Sequence, residues 1–307
     1  MKVAVIGANG FIGSHLSQVL SENSGLNLSL FGRDSKCILK SDADYFQLPA
    51  LSFDERVKIF KEVDLVYYLA SSSIPASTWT NPNTEITSNL IPFLDFLEMV
   101  CYCGVKKIAF VSSAGTIYGP SLNKVKEDFD KHPFSPHGIV KLTMENFLDY
   151  YRKKSGIAFD IYRVSNVFGE GQKTSKGLGL INTLIENILI KKEINIFGDG
   201  SHLRNYIYVK DCVRLMEFSL RADIKNSNVF NLSSDTSFTV NEIIRHLQEL
   251  FHEQFVIHYT EKRKSDNEFI DIDNSKLLAH FQDFHFTPFR TALENTYRHI
   301  KHQLNQE

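Results

Sequence analysis

The succession of apolar runs in this chain predicts an α/β protein on a doubly wound parallel sheet, with a smaller substrate-side lobe interleaved toward the C-terminus. Three observations carry that prediction. Short, continuous apolar runs recur through the first half, the form of strands covered on both faces. Amphipathic stretches of helical length separate them. A glycine-rich turn joins the first run to the first such stretch.

Taken in order, residues 3–6, 26–31, 65–69, 108–112 and 159–164 read as strands. A helix over 12–20 places Ile12, Leu16, Val19 and Leu20 on one side. Another over 91–103 stops at Gly104, the residue type that most easily turns left-handed after a helix. After Val164 the rhythm changes, and glycines at 169, 171, 177, 179, 198 and 200 mark a loop-rich region around one helix over 180–191. A helix over 240–251 opens after the cap-type residues of "SDTSFT", and "DIDNSKLLAH" at 271–280 reads as a further helix start. These elements predict a dinucleotide-type domain of residues 1–165 and about 203–232. The second lobe takes about 166–202 and 233–307.

Composition narrows the classes. A length of 307 residues is enough for one large core or two smaller ones, and 43% apolar with 23% charged residues is an ordinary globular balance. A net charge of −2 leaves no electrostatic footprint for nucleic acid. No apolar run reaches the length that crosses a bilayer, and "MKVAVIGANG" is interrupted too early for a signal peptide. A cytoplasmic protein with no membrane partner is expected. Four cysteines do not make a disulfide framework, and Cys101 and Cys103 have no second pair to complete a zinc site. The eleven histidines include no i, i+4 pair, so no metal site is expected.

In "VAVIGANGFIGSHL" the glycines Gly7, Gly10 and Gly13 follow the first strand and open the first helix. Small residues there admit a pyrophosphate to the backbone, and a helix N-terminus offers N–H groups with partial positive charge. Gly7, Gly10, Phe11, Ile12 and Gly13 are therefore the candidate cofactor cradle of a Rossmann-type domain. The end of the second strand selects the cofactor. A carboxylate there would hold the adenosine ribose of NAD, but "LSLFGRDS" has Gly32 in that place, followed by Arg33. A guanidinium suits the extra phosphate, which favours NADP(H) over NAD(H). The alternative is a solvated Arg33 with Asp34 turned toward the ribose.

The segments "GANGFIG", "DLVYYLAS", "TSNLIPFLDFLE", "VSSAGTIYG", "RVSNVFG", "IFGDGSHLRNYIYVKD", "FNLSS" and "RKSD" follow one another in that order. Together they resemble, over nearly the whole length, the NAD-dependent epimerase/dehydratase family of extended short-chain dehydrogenase/reductases acting on nucleotide sugars. The resemblance implies that Ala70, Ser71, Asn89 and Ser112 line the cofactor, and that Asn166, Arg204 and Arg263 contact the diphosphate side of a nucleoside-diphosphate sugar. It gives Tyr118 a structural role, and it implies a homodimer through helices over 91–103 and 141–151.

The implied chemistry is hydride transfer at sugar C4, by a 4-epimerase or an NADPH-dependent 4-keto-sugar reductase serving surface-polysaccharide supply. In that family a tyrosine transfers the hydroxyl proton, and a lysine one helical turn later holds the nicotinamide ribose. Here "SPHGIVK" has His137 in the tyrosine's place and Lys141 four residues on. Ala114 occupies the frequent hydroxyl position, which leaves Ser112, Ser113 and Thr116 as candidates, with Ser113 and Thr116 preferred for the substrate. An imidazole is a competent acid or base near neutral pH. It is also shorter than a phenol, so the sugar must sit deeper or a water must bridge. The competing reading is a non-catalytic sensor that keeps the fold and the ligand but not the turnover.

Overall fold

The computed structural model describes residues 1–73, 81–121, 124–174, 179–251, 255–261 and 269–306. In chain order the strands are β1 (Lys2–Ile6), β2 (Asn27–Gly32), β3 (Asp44–Gln47), β4 (Leu65–Tyr68), β5 (Lys107–Ser113), β6 (Lys124–Val125) and β7 (Ala158–Val164). They continue as β8 (Asn166–Phe168), β9 (Ile194–Phe197), β10 (Leu203–Tyr208), β11 (Asn228–Leu232), β12 (Ser237–Thr239), β13 (Ile257–Thr260) and β14 (Phe269–Ile272). The chain divides into two compact units that alternate along it. The first comprises Met1–Ser113, Pro133–Arg163 and Val213–Phe230; the second comprises Ala114–His132, Val164–Cys212 and Asn231–Glu307.

The first unit is built on a seven-stranded sheet of order β11-β7-β5-β4-β1-β2-β3. β1 pairs in parallel with β2 on one side and β4 on the other, so successive strands run outward in both directions from it. In such a sheet ligands collect beyond the carboxyl ends of the strands where the order reverses, here the ends of β1 and β4. The fold is of the Rossmann type. β1, β4 and β7 are buried almost throughout, as continuous apolar runs require.

The longer helices that flank this sheet among the described residues are α1 (Phe11–Ser21), α2 (Phe53–Phe60), α3 (Asn83–Cys103) and α4 (Pro136–Ser155). α3 contributes Phe93, Phe96, Leu97 and Val100 to the core, and α4 contributes Val140, Met144, Leu148 and Tyr151, each set at helical spacing. α4 is capped by Ser135, whose hydroxyl accepts from the Gly138 N–H, and is closed by Gly156 at φ 76. One ion pair lies inside the sheet layer. Lys107 Nζ and Asp160 Oδ2 are 2.8 Å apart, and both side chains are fully buried.

Several elements depart from the sequence reading. β3 and α2 lie outside the sequence reading; the partly buried edge strand "DYFQ" has no continuous apolar run. The helix expected at 91 begins at Asn83, through a π-helical turn over Ile86–Leu90. α3 is 21 residues long and has a window of mean hydropathy 1.2, enough by length and composition alone to cross a bilayer, but its phenylalanines fill the core. The helix start expected in 271–280 comes only at Ser275. Asp271 and Ile272 belong to β14, register with Lys124 and Val125 of β6, and leave only Ser275–Leu278 helical.

In the second unit β10 pairs antiparallel with β12 and in parallel with β8 and β14. Its longer helices are α5 (Leu180–Leu189), α6 (Val240–Phe251) and α7 (Phe289–Leu304). Residues 203–212, expected with the dinucleotide-binding domain, fall in this unit because β10 hydrogen-bonds to its strands. Residues 114–132 fall there as well, since β6 pairs with β14.

Candidate active site

The chain leaves β1 at Gly7, whose φ of 91 is left-handed, and the N–H groups of Gly7 and Ala8 donate to the Phe31 carbonyl at 2.9 and 3.0 Å. A Cβ on Gly7 would stand 3.0 Å from the Ala70 nitrogen at the exit of β4, and one on Gly13 would stand 2.0 Å from the Gly7 carbonyl oxygen. Glycines at these positions let α1 close directly onto the turn. Gly10 is the N-cap, no side chain caps this end, and Phe11 and Ile12 begin the helix. Amides in the first turn of a helix have no intrahelical acceptor. The result is a backbone cradle at an uncapped helix N-terminus, and it fits the pyrophosphate of a dinucleotide.

The adenosine end is more constrained than the sequence shows. A Cβ on Gly32 would lie 2.2 Å from the Tyr45 hydroxyl of β3, so a side chain at this strand end competes with Tyr45. That hydroxyl donates to the Asp34 carbonyl at 2.8 Å. Asn9, inside the glycine turn, donates to Asp34 Oδ2 at 3.1 Å and to the Lys36 carbonyl at 2.8 Å. Arg33 and Asp34 are both exposed. The Asp34 carboxylate is thus held at the glycine turn, while the Arg33 side chain faces solvent.

A polar cluster forms beyond β4. The Ser72 N–H donates to Asn89 Oδ1 at 2.9 Å, and Asn89 Nδ2 donates to Glu85 Oε2 at 2.9 Å. Ser71 and Ser73 hydroxyls are 3.1 Å apart. His137, in the first turn of α4, places Nδ1 2.9 Å from Ser73 Oγ and 3.8 Å from Glu85 Oε1. Burial alone would raise the Glu85 carboxyl, but its contacts with His137, Ser73 and Asn89 prevail and hold it below the ordinary carboxylate range.

One turn along α4, Lys141 is 7% exposed. Its Nζ donates to the Val111 carbonyl at 2.8 Å and lies 4.8 Å from the centroid of the Phe110 ring. Burial pushes its pKa down to about 8, against the opposing charges of Glu85 and Glu145. The Ser112 hydroxyl donates to Glu145 Oε1, and Glu145 pairs with Arg163 Nη2 at 2.8 Å, all three buried. Ser112 therefore supports a buried ion pair from within the core, whereas Ser113, the last residue of β5, is half-buried.

The remaining expected residues belong to the second unit. Thr116 sits in a short helix, Ala114–Ile117, with its hydroxyl buried and without a hydrogen-bond partner among the described residues. The Tyr118 hydroxyl donates to Asn231 Oδ1 at 2.6 Å, a structural contact. Asn166 in β8 donates through Nδ2 to the Asn205 carbonyl at 2.9 Å, and Arg204 lies in β10 opposite Phe238. Arg263 lies outside the described residues, as do 74–79 and 175–178. Sequence reasoning missed Ser73, Glu85, Glu145 and Tyr45. Two of these left a signal: Glu145 is four residues after Lys141, and Glu85 four before Asn89, the spacing of one helix face.

Residues 3–233 match the family described as NAD dependent epimerase/dehydratase. The chain is 31% identical over 252 residues to a candidate UDP-glucose 4-epimerase of Methanocaldococcus jannaschii, covering 80% of this chain and 81% of that one. It is 26% identical over 286 residues to the dTDP-4-dehydro-6-deoxyglucose reductase of Escherichia coli, covering 90% of each. The structure is similar to that of UDP-glucuronic acid 4-epimerase from Bacillus cereus in complex with UDP-glucuronic acid and NAD. The TM-score is 0.89 at 25% identity, over 99% of this chain and 100% of the other.

Proposed function

We propose that this chain, which belongs to the NAD dependent epimerase/dehydratase family, moves a hydride at C4 of a nucleoside-diphosphate sugar with His137 as its acid–base group. The observation that carries the proposal is the placement of His137. Its imidazole is held by Ser73 one turn before the buried ammonium of Lys141, in the unit that carries the glycine cradle. A bound nicotinamide dinucleotide supplies or accepts the hydride. The chain's own residues do the rest. His137 takes the C4 hydroxyl proton as the carbonyl forms and returns it as the carbonyl is reduced. Lys141 holds the nicotinamide ribose and keeps positive charge beside the reacting oxygen. Ser113 and Thr116 are assigned to the sugar hydroxyl, and Asn166, Arg204 and Arg263 to the diphosphate, where arginines give charge-assisted bonds. Gly7, Gly10, Phe11, Ile12 and Gly13 cradle the pyrophosphate; Ala70, Ser71 and Asn89 shape the wall beside it. The cofactor role first expected of Ser112 is assigned to its neighbours, since its hydroxyl is committed to Glu145.

Epimerisation is the preferred reaction, supported by the 4-epimerases among the similar proteins. The second reading is reduction of a 4-keto-sugar with NADPH, supported by the Gly32-Arg33 pair and by the similarity to a reductase. A cytoplasmic location and a place in sugar supply for surface polysaccharide go with either. A homodimer through α3 and α4 is supported by the apolar side chains these helices expose: Ile91 at 47%, Ile139 at 49% and Tyr150 at 51%. One screen tests the reaction. UDP-sugars are offered with NAD present, and nucleotide 4-keto-sugars are offered with NADPH or NADH. Interconversion without net oxidation establishes the epimerase, and NADPH consumption establishes the reductase. Tight sugar-nucleotide binding with neither would instead make the chain a sensor.

A further inference from the structure

Glu85 has no part in the roles above, yet the polar cluster is assembled around it. It stands directly before the π-helical turn of α3, a device that recurs at functional sites, and is 1% exposed. A carboxylate buried this far needs donors. Oε2 has two, Asn89 Nδ2 at 2.9 Å and the Ser73 hydroxyl at 3.0 Å. Oε1 has no hydrogen-bond partner among the described residues and faces His137 Nδ1 at 3.8 Å.

Ser73 links the two groups. Its hydroxyl has one proton, and a carboxylate draws that proton more strongly than the neutral Ser71 hydroxyl 3.1 Å away. Toward its other neighbours Ser73 is then an acceptor, from Asn89 Nδ2 at 3.4 Å and from His137 Nδ1 at 2.9 Å. The imidazole must carry its hydrogen on Nδ1, and Nε2 keeps the lone pair. This is the logic by which a carboxylate fixes the tautomer and orientation of a working histidine, with a serine hydroxyl interposed.

We propose that Glu85, acting through Ser73, is a positioning residue that holds His137 in its Nδ1–H form and leaves Nε2 as the atom that exchanges a proton with the sugar hydroxyl. The inference rests on the acid–base role proposed for His137. Lys141 is the other charged group near Glu85, so lost activity alone would not separate positioning of the imidazole from compensation of the ammonium.

The test is nitrogen NMR of the full chain labelled with ¹⁵N-histidine, at about pH 8 where a free imidazole is neutral, since the shifts report which ring nitrogen is protonated. Wild type is expected to show His137 with hydrogen on Nδ1. Ser73→Ala and Glu85→Gln are expected to convert a substantial share to the Nε2–H form. Both should lower kcat by about 10- to 100-fold while substrate KM and cofactor affinity stay within about 2-fold. Hydrogen on Nε2 in wild type, Nδ1–H retained in both variants, or an undiminished kcat would overturn the proposal. Ser73→Ala, on a half-buried loop, keeps the test available if Glu85→Gln does not fold. The tautomer is read without turnover, so failure of this inference and failure of the proposed reaction are seen separately.

Discussion

Lys141 and Arg33 are the residues whose settings make the sharpest predictions. In the unfolded chain Lys141 keeps its proton up to its ordinary value of 10.5, whereas the folded protein releases it near 8. Between those values the unfolded state binds more protons, so folding stability rises as pH rises through that window. Below it, the buried ammonium costs about 3 kcal/mol. Lys141→Met in the cofactor-free protein should therefore raise stability at neutral pH and flatten its dependence between about 8 and 10.5, in denaturant titrations at several pH values. The same change should weaken cofactor binding about 10-fold or more, read by fluorescence titration. For Arg33, substitution by alanine should weaken NADPH by about 10-fold and leave NADH within about 2-fold if the guanidinium meets the extra phosphate. Equal losses for both would assign selection at the ribose to the Asn9–Asp34 contact, a carboxylate arrangement that favours NAD.

At the scale of elements, the glycine turn and α1 act as one piece. Its three glycines were legible in the sequence because strand, turn and helix are consecutive, and the close approach of Gly13 to the Gly7 carbonyl explains them. Gly13→Ala should push α1 off the turn, costing about 1–3 kcal/mol by thermal denaturation and removing measurable dinucleotide binding. α3 shows the opposite case. Composition alone would let it span a bilayer, and the start of its helix cannot be seen from the apolar pattern, because residues 83–90 are mostly polar and wind through a π turn. That turn sets Glu85 and Asn89 within hydrogen-bond reach of each other and of the β4 exit. "DIDNSKLLAH" reads as a helix start, whereas its first residues pair with a strand nearly 150 positions earlier. Local propensity lost to long-range pairing there, as short segments commonly do.

On the scale of the whole chain, each unit is held by contacts among distant segments. In the first, Lys107 on β5 and Asp160 on β7 pair inside the sheet layer, with Ser219 and Asn228 also donating to the carboxylate. Lys107→Met would leave a buried, unpaired charge and should cost about 3–5 kcal/mol, measured by denaturant unfolding with unchanged m-value. The partner change Asp160→Asn together with Lys107→Met should recover part of that loss, since the uncompensated charge is gone. The same reasoning covers Arg163, Glu145 and Ser112, a network that stands behind the β5 end of the site. None of these pairings is visible as a motif, because each joins residues far apart in the chain. By itself the sequence determined the α/β class, the glycine cradle, the family, and the His137–Lys141 spacing, all properties of consecutive residues or of short periods. Tertiary structure alone decided that Asp34 is bound to the glycine turn and that Ser112 faces inward. It also decided that Ser73 and Glu85 close on His137, since these contacts exist only once β4, α3 and α4 are folded against one another.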